Sequence, residues 1–285
     1  VKEELIMLQH LEKKNVTMLP GLFRERMLVN RNYLLELGTQ ELLQNYYLEA
    51  GIVMPDLQVL ERPETAKLHW GWEAPTCQLR GHFLGHWLSA ASSLIASEND
   101  AALKAKLDEI ISELARCQEL NGGEWIGPFP EKYFTRLEKE LDIWSPQYVM
   151  HKLIMGLTHA YLYAGNEQAL TIVRHLADWY IRWTEKVQST NPHAVYSGEE
   201  SGMLEMWAQL FETTKDPVYE TLASRYSNPS LFHNLSEGKD ALTNCHTNSS
   251  IPWAHGAARM YEVTGDEKYK TIVCLLYTSD AADEL

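Results

Sequence analysis

Apolar residues recur three and four positions apart along almost the whole chain, which is the period of an amphipathic α-helix. The pattern is clearest in the stretches NYLLELGTQELLQNYYLEA, HFLGHWLSAASSLIA and EQALTIVRHLADWYIRWTEKV. No stretch shows the strict alternation of a half-buried strand. The sequence therefore predicts an all-α fold.

Short turns that contain Asn or Asp recur between these helices. The side chains of these residues cap a helix by accepting hydrogen bonds from its first backbone N–H groups. The last three turns are 50 residues apart, which predicts helical hairpins stacked as a solenoid or closed into a ring. The turn residues are Asp100, Asn166, Asp216 and Asp266.

Two long segments connect the hairpins at the opposite end, residues 121–147 and 227–252. Both are rich in aromatic residues, His, Asn and Gly, unlike the short turns. Binding residues are often placed on loops that a rigid scaffold positions. We therefore expect a functional site at the end with the long loops, within a single domain.

The chain has 285 residues and a net charge of −14, which disfavours nucleic acid as a partner because phosphate would be repelled. No run of 18 apolar residues is present, so we expect no membrane span. The N-terminal text lacks the apolar core of a signal peptide, which favours the cytoplasm. The four cysteines form no CxxC pair, which indicates free thiols rather than a disulfide framework.

His82 and His86 lie one helical turn apart in LRGHFLGHWLSA. This spacing has three interpretations: hydrogen-bonded histidines at a helix start, the lining of a polar site, or two ligands of a metal. Phe83 occupies the position at which a zinc protease would carry its general base. Gly81 and Gly85 would allow another backbone or a ligand to approach closely.

Two further polar residues lie in otherwise apolar stretches that are predicted to be helical. His151 follows a helix start at Pro146 and is either a site residue or a satisfied core histidine. Glu205 lies in GMLEMWAQLF, where an unpaired buried carboxylate would be costly. Glu205 therefore requires a partner or a function.

Aromatic and polar residues cluster near other predicted helix starts. Trp72 and Glu73 come from GWEAP, and His246 and Asn248 precede a helix in NCHTNSSIPWAHG. Tryptophan beside polar groups suits stacking on sugars, although packing in the core is an equal alternative. We predict that these residues surround one mouth at the end with the long loops.

Five ordered segments between about Leu22 and Lys270 resemble the β-L-arabinofuranosidase family, glycoside hydrolase family 127 and its relatives. The segments are WGWEAPTCQLRGHFLGHWLSA, ELARCQELNGGEWIGPFPEKYFTRLE, IWSPQYVMHKLIMGLTHAYLYAGNEQAL, SGEESGMLEMWAQLF and HTNSSIPWAHGAARMYEVTGDEKY. The resemblance implies an (α/α)6 barrel, an incomplete one in this chain, and retaining hydrolysis of furanosides, with a carbohydrate as the partner. It also implies a cysteine nucleophile held on zinc, and a glutamate as acid and base.

The resemblance implies that the family's zinc ligands and catalytic residues lie further towards the C-terminus than VTGDEKY. We therefore predict no catalytic and no metal-binding residue in this sequence. Cys245 lacks a neighbouring cysteine and is not assigned as the nucleophile. The alternatives are a non-catalytic carbohydrate-binding toroid, or an epimerase or lyase on the same barrel. The residues expected to bind substrate are Trp72, Glu73, His82, His86, His151, Glu205, His246 and Asn248.

The chain closes on CLLYTSDAADEL, residues 274–285. Its first eleven residues resemble the translation of a transposon end used in sequencing libraries. We therefore expect residues 1–273 to be part of a catalytic domain and residues 274–285 to be a non-native tail. A truncated gene product from environmental DNA, without activity, is the corresponding expectation.

Overall fold

The structure is a computed structural model that describes residues 11–53, 68–227, 229–239 and 242–281, with side chains up to Leu276. These residues form twelve α-helices and three short 3-10 turns and contain no strand, which confirms the all-α prediction. The 3-10 turns are Lys13–Asn15, Gly71–Glu73 and Pro192–Tyr196. The helices are α1 Leu22–Glu36, α2 Thr39–Glu49, α3 His82–Glu98, α4 Ala101–Leu120, α5 Lys132–Glu138, α6 Pro146–Ala164, α7 Glu167–Thr190, α8 Met203–Thr214, α9 Pro217–Tyr226, α10 Ser230–Ser236, α11 Thr247–Thr264 and α12 Glu267–Ala281.

The helices pack in two rows. In the inner row α3 packs on α6, α6 on α8, and α8 on α11. In the outer row α4 packs on α7, and α7 on α9, while α2 covers α4 and α12 covers α11. Each inner helix is thus paired with the outer helix that follows it in the chain, as in a barrel of helical hairpins.

The four short turns share one local structure, which confirms the predicted repeat. A residue in the left-handed conformation ends the inner helix, and the next side chain caps the outer helix. Asp100, for example, accepts hydrogen bonds from the N–H groups of Ala102 and Leu103 at 3.1 and 3.0 Å. The pairs are Asn99–Asp100, Gly165–Asn166, Lys215–Asp216 and Gly265–Asp266.

Two glycines bring the inner helices α3 and α6 into close contact. A Cβ added to Gly85 would lie 2.0 Å from the carbonyl oxygen of Lys152, and one added to Gly156 would lie 2.6 Å from the carbonyl oxygen of Gly85. The expectation that Gly85 allows a backbone to approach is confirmed. Gly81 has φ +87° and abuts Pro128 of the first long segment, so a side chain there would be both strained and crowded.

The two long segments contain helices that the sequence pattern did not predict. Helix α5 lies within 121–147, and α10 lies within 227–252. Helix α12 continues through the expected boundary at residue 273 to Ala281, and Leu276 is buried. In the described part of the chain, no helix has the length and apolar character needed to cross a bilayer.

Candidate functional site

The N-termini of the inner helices meet at one end of the hairpin row. The short turns connect the C-terminus of each inner helix to its outer partner, so the inner N-termini lie at the opposite end with the long segments. Helices α3, α6 and α8 begin there with the polar residues that the sequence singles out. We refer to this region as the loop end, and to the opposite region as the turn end.

Glu73 and His82 form the centre of the candidate site. Oε1 of Glu73 lies 2.7 Å from Nδ1 of His82, and the Glu73 carboxylate also accepts hydrogen bonds from the N–H groups of Gly81 and Phe83 at 2.6 and 3.0 Å. Burial acts to raise the pKa of Glu73, but these hydrogen bonds outweigh it and lower the pKa. Glu73 is therefore a fixed carboxylate at the start of α3.

The same contacts assign the tautomer of His82. Its Nδ1 faces two acceptors, the Glu73 carboxylate and the carbonyl oxygen of Leu79 at 2.9 Å. Nδ1 must then carry a proton and donate it. In the neutral ring, Nε2 is left as an acceptor, and a neighbouring carboxylate fixes the orientation of the ring.

Aromatic rings surround His82 on three sides. Ring centroids lie 5.8 Å away for His86, 6.1 Å for Trp72 and 6.2 Å for Tyr148. Partial burial, followed by the positive charge of Lys152, lowers the pKa of His86 to about 4. His86 is therefore neutral at pH 7, although part of its side chain remains exposed to solvent.

His151 is buried behind this group, and its Nε2 has no hydrogen-bond partner among the described residues. Burial and nearby positive charge lower its pKa well below the usual range, so the ring is neutral. Gly202 leaves room for the ring, because a Cβ at that position would lie 2.6 Å from Cε1 of His151. The unsatisfied nitrogen favours the site interpretation over that of a satisfied core histidine.

Lys152 is a site residue that the sequence reading missed. Its Nζ lies 4.8 Å above the ring of Tyr148, and burial lowers its pKa although the charge of Glu205 opposes this shift. Glu205 is half-buried, and its charge acts on Lys152, but no hydrogen bond or ion pair joins the two side chains among the described residues. The available signal was the spacing, because Lys152 follows Tyr148 by four residues and lies on the same helical stripe.

Exposed tryptophans lie around the cluster. Trp72 and Trp70 are about two-thirds exposed, at 65% and 64%. The indole N–H of Trp144 donates to Oε1 of Glu199 at 3.0 Å. Sequence reading assigned a site role to Trp72 but not to Trp144 or Glu199, which are joined by this contact between two loops.

His246 and Asn248 occupy the N-cap and the first turn of α11, at the same end as the cluster. Both side chains are exposed. Among the described residues, no hydrogen bond, ion pair or ring contact joins them to Glu73, His82 or His86. Their participation in one site stays a prediction.

The cysteines do not provide the donor set of a zinc site. Cys117 is buried, and burial raises its pKa to about 12, which opposes the thiolate form that binds metal. In the segments that the structure describes, no group of three His, Cys, Asp or Glu side chains is placed to hold a metal ion. We therefore derive no chemical step through a metal.

Comparison with known proteins decides the family. The model for the catalytic domain of β-L-arabinofuranosidase, GH127, matches residues 15–279. The chain belongs to the GH127 family. The match agrees with the two rows of helical hairpins and confirms the (α/α)6-barrel class. No curated protein sequence matches the chain.

Within this GH127 chain, the structure brings four of the eight predicted residues into contact. Trp72, Glu73, His82 and His86 are in direct contact. His151 is buried behind this group, and among the described residues neither His151 nor Glu205 forms a hydrogen bond or ion pair with these four. The cluster can accept and donate hydrogen bonds through neutral imidazoles, and it presents one fixed carboxylate.

Proposed function

We propose that the loop-end cluster of this GH127 glycoside hydrolase domain binds the sugar ring of an arabinofuranoside. One observation carries the proposal. Neutral histidines, a fixed carboxylate and exposed indole rings converge where three inner helices begin. Sugar hydroxyls both donate and accept hydrogen bonds, and the C–H faces of a sugar ring pack on aromatic side chains.

Each member of the cluster has a distinct part in this proposal. In the neutral form of His82, Nε2 is presented as an acceptor because Glu73 holds the Nδ1–H. His86 contacts a hydroxyl from its exposed side, and the unpartnered Nε2 of His151 takes a second hydrogen bond. Lys152 donates, and Trp72 covers the sugar face. Glu73 is a positioning residue, since it acts through His82.

The reaction class follows from the family, and the stereochemistry is part of the proposal. Retaining hydrolysis proceeds through a covalent glycosyl–enzyme intermediate that water then cleaves. We assign no nucleophile and no acid among the described residues. The zinc that the resemblance implies is likewise not assigned to any of them. We therefore propose that the 285-residue chain binds the sugar but does not cleave the glycosidic bond.

Calorimetric titration with methyl β-L-arabinofuranoside tests the binding site. We expect His86→Ala to weaken binding about tenfold, which corresponds to the loss of one well-placed hydrogen bond. His233→Ala is the matched control, because His233 is exposed and its Nε2 lies 3.4 Å from the carboxylate of Glu237, the residue that follows α10. Equal affinities for His86→Ala and the unaltered chain would contradict the proposal.

A chromogenic aryl arabinofuranoside tests the expected inactivity. Proton transfer by a positioned acid alone contributes roughly 10²–10⁴-fold to the rate of such reactions. Without that group we expect no turnover above the buffer rate. Turnover that disappears in the His86→Ala variant would show that the described residues include the catalytic group.

We further propose that residues 274–285 lie outside the functional domain. The resemblance of this segment to a transposon end supports the proposal, while the burial of Leu276 shows that the first residues of the segment contribute to packing. A chain ending at Val273 should retain the affinity for the furanoside. A tenfold loss of affinity would show that the segment belongs to the domain.

A further inference from the structure

A cavity of about 420 Å³ opens on the outer side of the hairpin row, away from the residues of the candidate site. We refer to it as the rim cavity. Its walls come from the segment after α4, from α5 and from the C-terminal half of α7, so it lies at the loop end. Its lining includes Asn121, Trp125, Glu131, Trp179, Arg182 and Trp183.

Three indole rings form a rigid wall of the rim cavity. The ring centroids of Trp125 and Trp179 are 4.7 Å apart, and Trp179 and Trp183 are stacked at 6.1 Å with an interplanar angle of 8°. The edge of Phe134 packs on both Trp179 and Trp183 at 4.9 Å. Neighbouring rings already hold the tryptophans in place, so little side-chain entropy would be lost when a ligand binds against them.

The charged groups of the rim cavity are already paired. Arg182 binds Glu124, with one contact of 2.9 Å, and Lys186 binds Glu138 at 2.7 Å. Glu131 accepts a hydrogen bond from the indole N–H of Trp179 at 2.9 Å. With three carboxylates and two paired cations, the rim cavity does not favour an anion.

Two residues that line the rim cavity carry a buried donor without a partner in the described structure. The indole N–H of Trp183 and the side-chain amide nitrogen of Asn121 are buried and have no acceptor among the described residues. Trp183 is only 5% exposed. A buried donor without an acceptor costs free energy, so a ligand oxygen at these groups would be favoured.

We propose that the rim cavity binds a neutral sugar unit. It would be a second saccharide site, in addition to the loop-end cluster of Trp72, Glu73, His82 and His86. Hydroxyl oxygens accept from Trp183 and Asn121, hydroxyl protons are donated to Glu131 or Glu124, and the ring packs against the indole wall. The choice of an arabinose-containing probe rests on the proposed function. The saccharide chemistry follows from the rim cavity itself.

The segment 121–147 connects the two sites. It contributes Trp125 to the rim cavity and Trp144, which donates to Glu199, to the loop end, and it is fixed to the segment before α3. Arg80 donates to the carbonyl oxygen of Pro128 at 2.9 Å and to the hydroxyl of Tyr133 at 2.9 Å. A branched or extended glycan could therefore contact both sites from the same end of the fold.

Calorimetry and saturation-transfer NMR with an arabinofuranosyl trisaccharide test the proposal on the 285-residue chain. We expect Trp183→Phe to weaken trisaccharide binding about threefold to tenfold, because it retains an aromatic ring but loses the N–H donor. Asn121→Ala should have a similar effect. Neither variant should lower the melting temperature by much, since the deleted donor has no partner in the protein.

The variant His86→Ala separates this proposal from the proposed function. If both sites bind sugar, the His86→Ala chain still binds the trisaccharide, and the double variant His86→Ala/Trp183→Phe binds it more weakly than either single variant. Binding that Trp183→Phe weakens and His86→Ala leaves unchanged would support the rim cavity and overturn the loop-end site. Equal affinities of His86→Ala and the double variant for the trisaccharide would overturn the rim site.

Discussion

The two ends of the hairpin row treat their polar groups differently. At the turn end, the Asx side chains of the four short turns each accept a hydrogen bond from a backbone N–H of the following helix. At the loop end, α3, α6, α8 and α11 begin without a side-chain cap, and His151 Nε2, Ser145 Oγ and Glu200 Oε1 are buried without a partner in the described structure, as Tyr219 Oη is at the turn end. Satisfied polar groups stabilise a fold, whereas unsatisfied ones cost stability and are retained where a ligand can bind them. The turn end therefore provides the scaffold, and the loop end provides the site.

The largest effect should come from crowding the inner row beneath the loop end. Gly85→Ala places a Cβ 2.0 Å from the carbonyl oxygen of Lys152, so α3 and α6 must separate. We expect a loss of about 3 kcal/mol in the free energy of unfolding, together with weaker furanoside binding. Denaturant titration and calorimetry measure the two quantities.

The matched control lies at the turn end. Gly165 has a left-handed backbone, with φ +65°, unlike the helical Gly85, and a Cβ there would meet no atom within 4 Å. Gly165→Ala should cost about 1 kcal/mol from backbone strain alone and leave sugar binding unchanged. Equal losses of stability in the two variants would break the distinction between the two ends.

A second effect concerns the buried carboxyl of Glu200. Burial raises its pKa from 4.5 to about 7, and the charge of Glu199 adds to this shift. Between these pH values the unfolded chain has released the proton while the folded chain retains it, so this group's contribution to stability falls as the pH rises from about 4.5 to 7. The change in the free energy of unfolding should be on the order of 2 kcal/mol.

Glu200→Gln isolates this contribution. Histidines such as His86 act in the opposite direction, because their lowered pKa values make stability fall as the pH drops below about 6.5. The informative quantity is therefore the free energy of unfolding of the Gln variant minus that of the unaltered chain. This difference should increase from pH 5 to pH 7. Glu185→Gln, on an exposed position of α7, serves as the control, and parallel pH profiles would show that Glu200 is not buried as a neutral acid.

Local rules made the turn end predictable from the sequence. Asp100, Asn166 and Asp216 could be identified because an Asx cap depends only on the two or three residues that follow it. The pairing of Glu73 with His82 could not, since it depends on the 3-10 turn at Gly71–Glu73 and on the left-handed backbone of Gly81. The site therefore depended on loop geometry that helical periodicity does not specify.

The carboxylates illustrate the same limit. The apolar text around Glu205 predicted a costly buried group, yet Glu205 is half-buried beside Lys152. The deeply buried carboxyl is instead Glu200, which lies in the polar stretch YSGEESG of the loop before α8. Residue type and sequence neighbours do not show which of Glu200 and Glu205 is deeply buried, whereas the tertiary structure does.

The smallest effect should come from the turn end itself. The side chain of Asn166 accepts a hydrogen bond from the N–H of Ala169 at 2.9 Å and donates one to Asp108 at 2.7 Å. Asn166→Ala removes both, and we expect it to cost about 1 kcal/mol in the free energy of unfolding. Asn166→Ser should recover most of that loss, because a serine hydroxyl also caps a helix N-terminus. Neither variant should change the affinity for the furanoside, since the cap lies at the opposite end of α6 from His151. An altered affinity in Asn166→Ala that Asn166→Ser restores would mean that the cap controls the site, and the separation between scaffold and site would then be wrong.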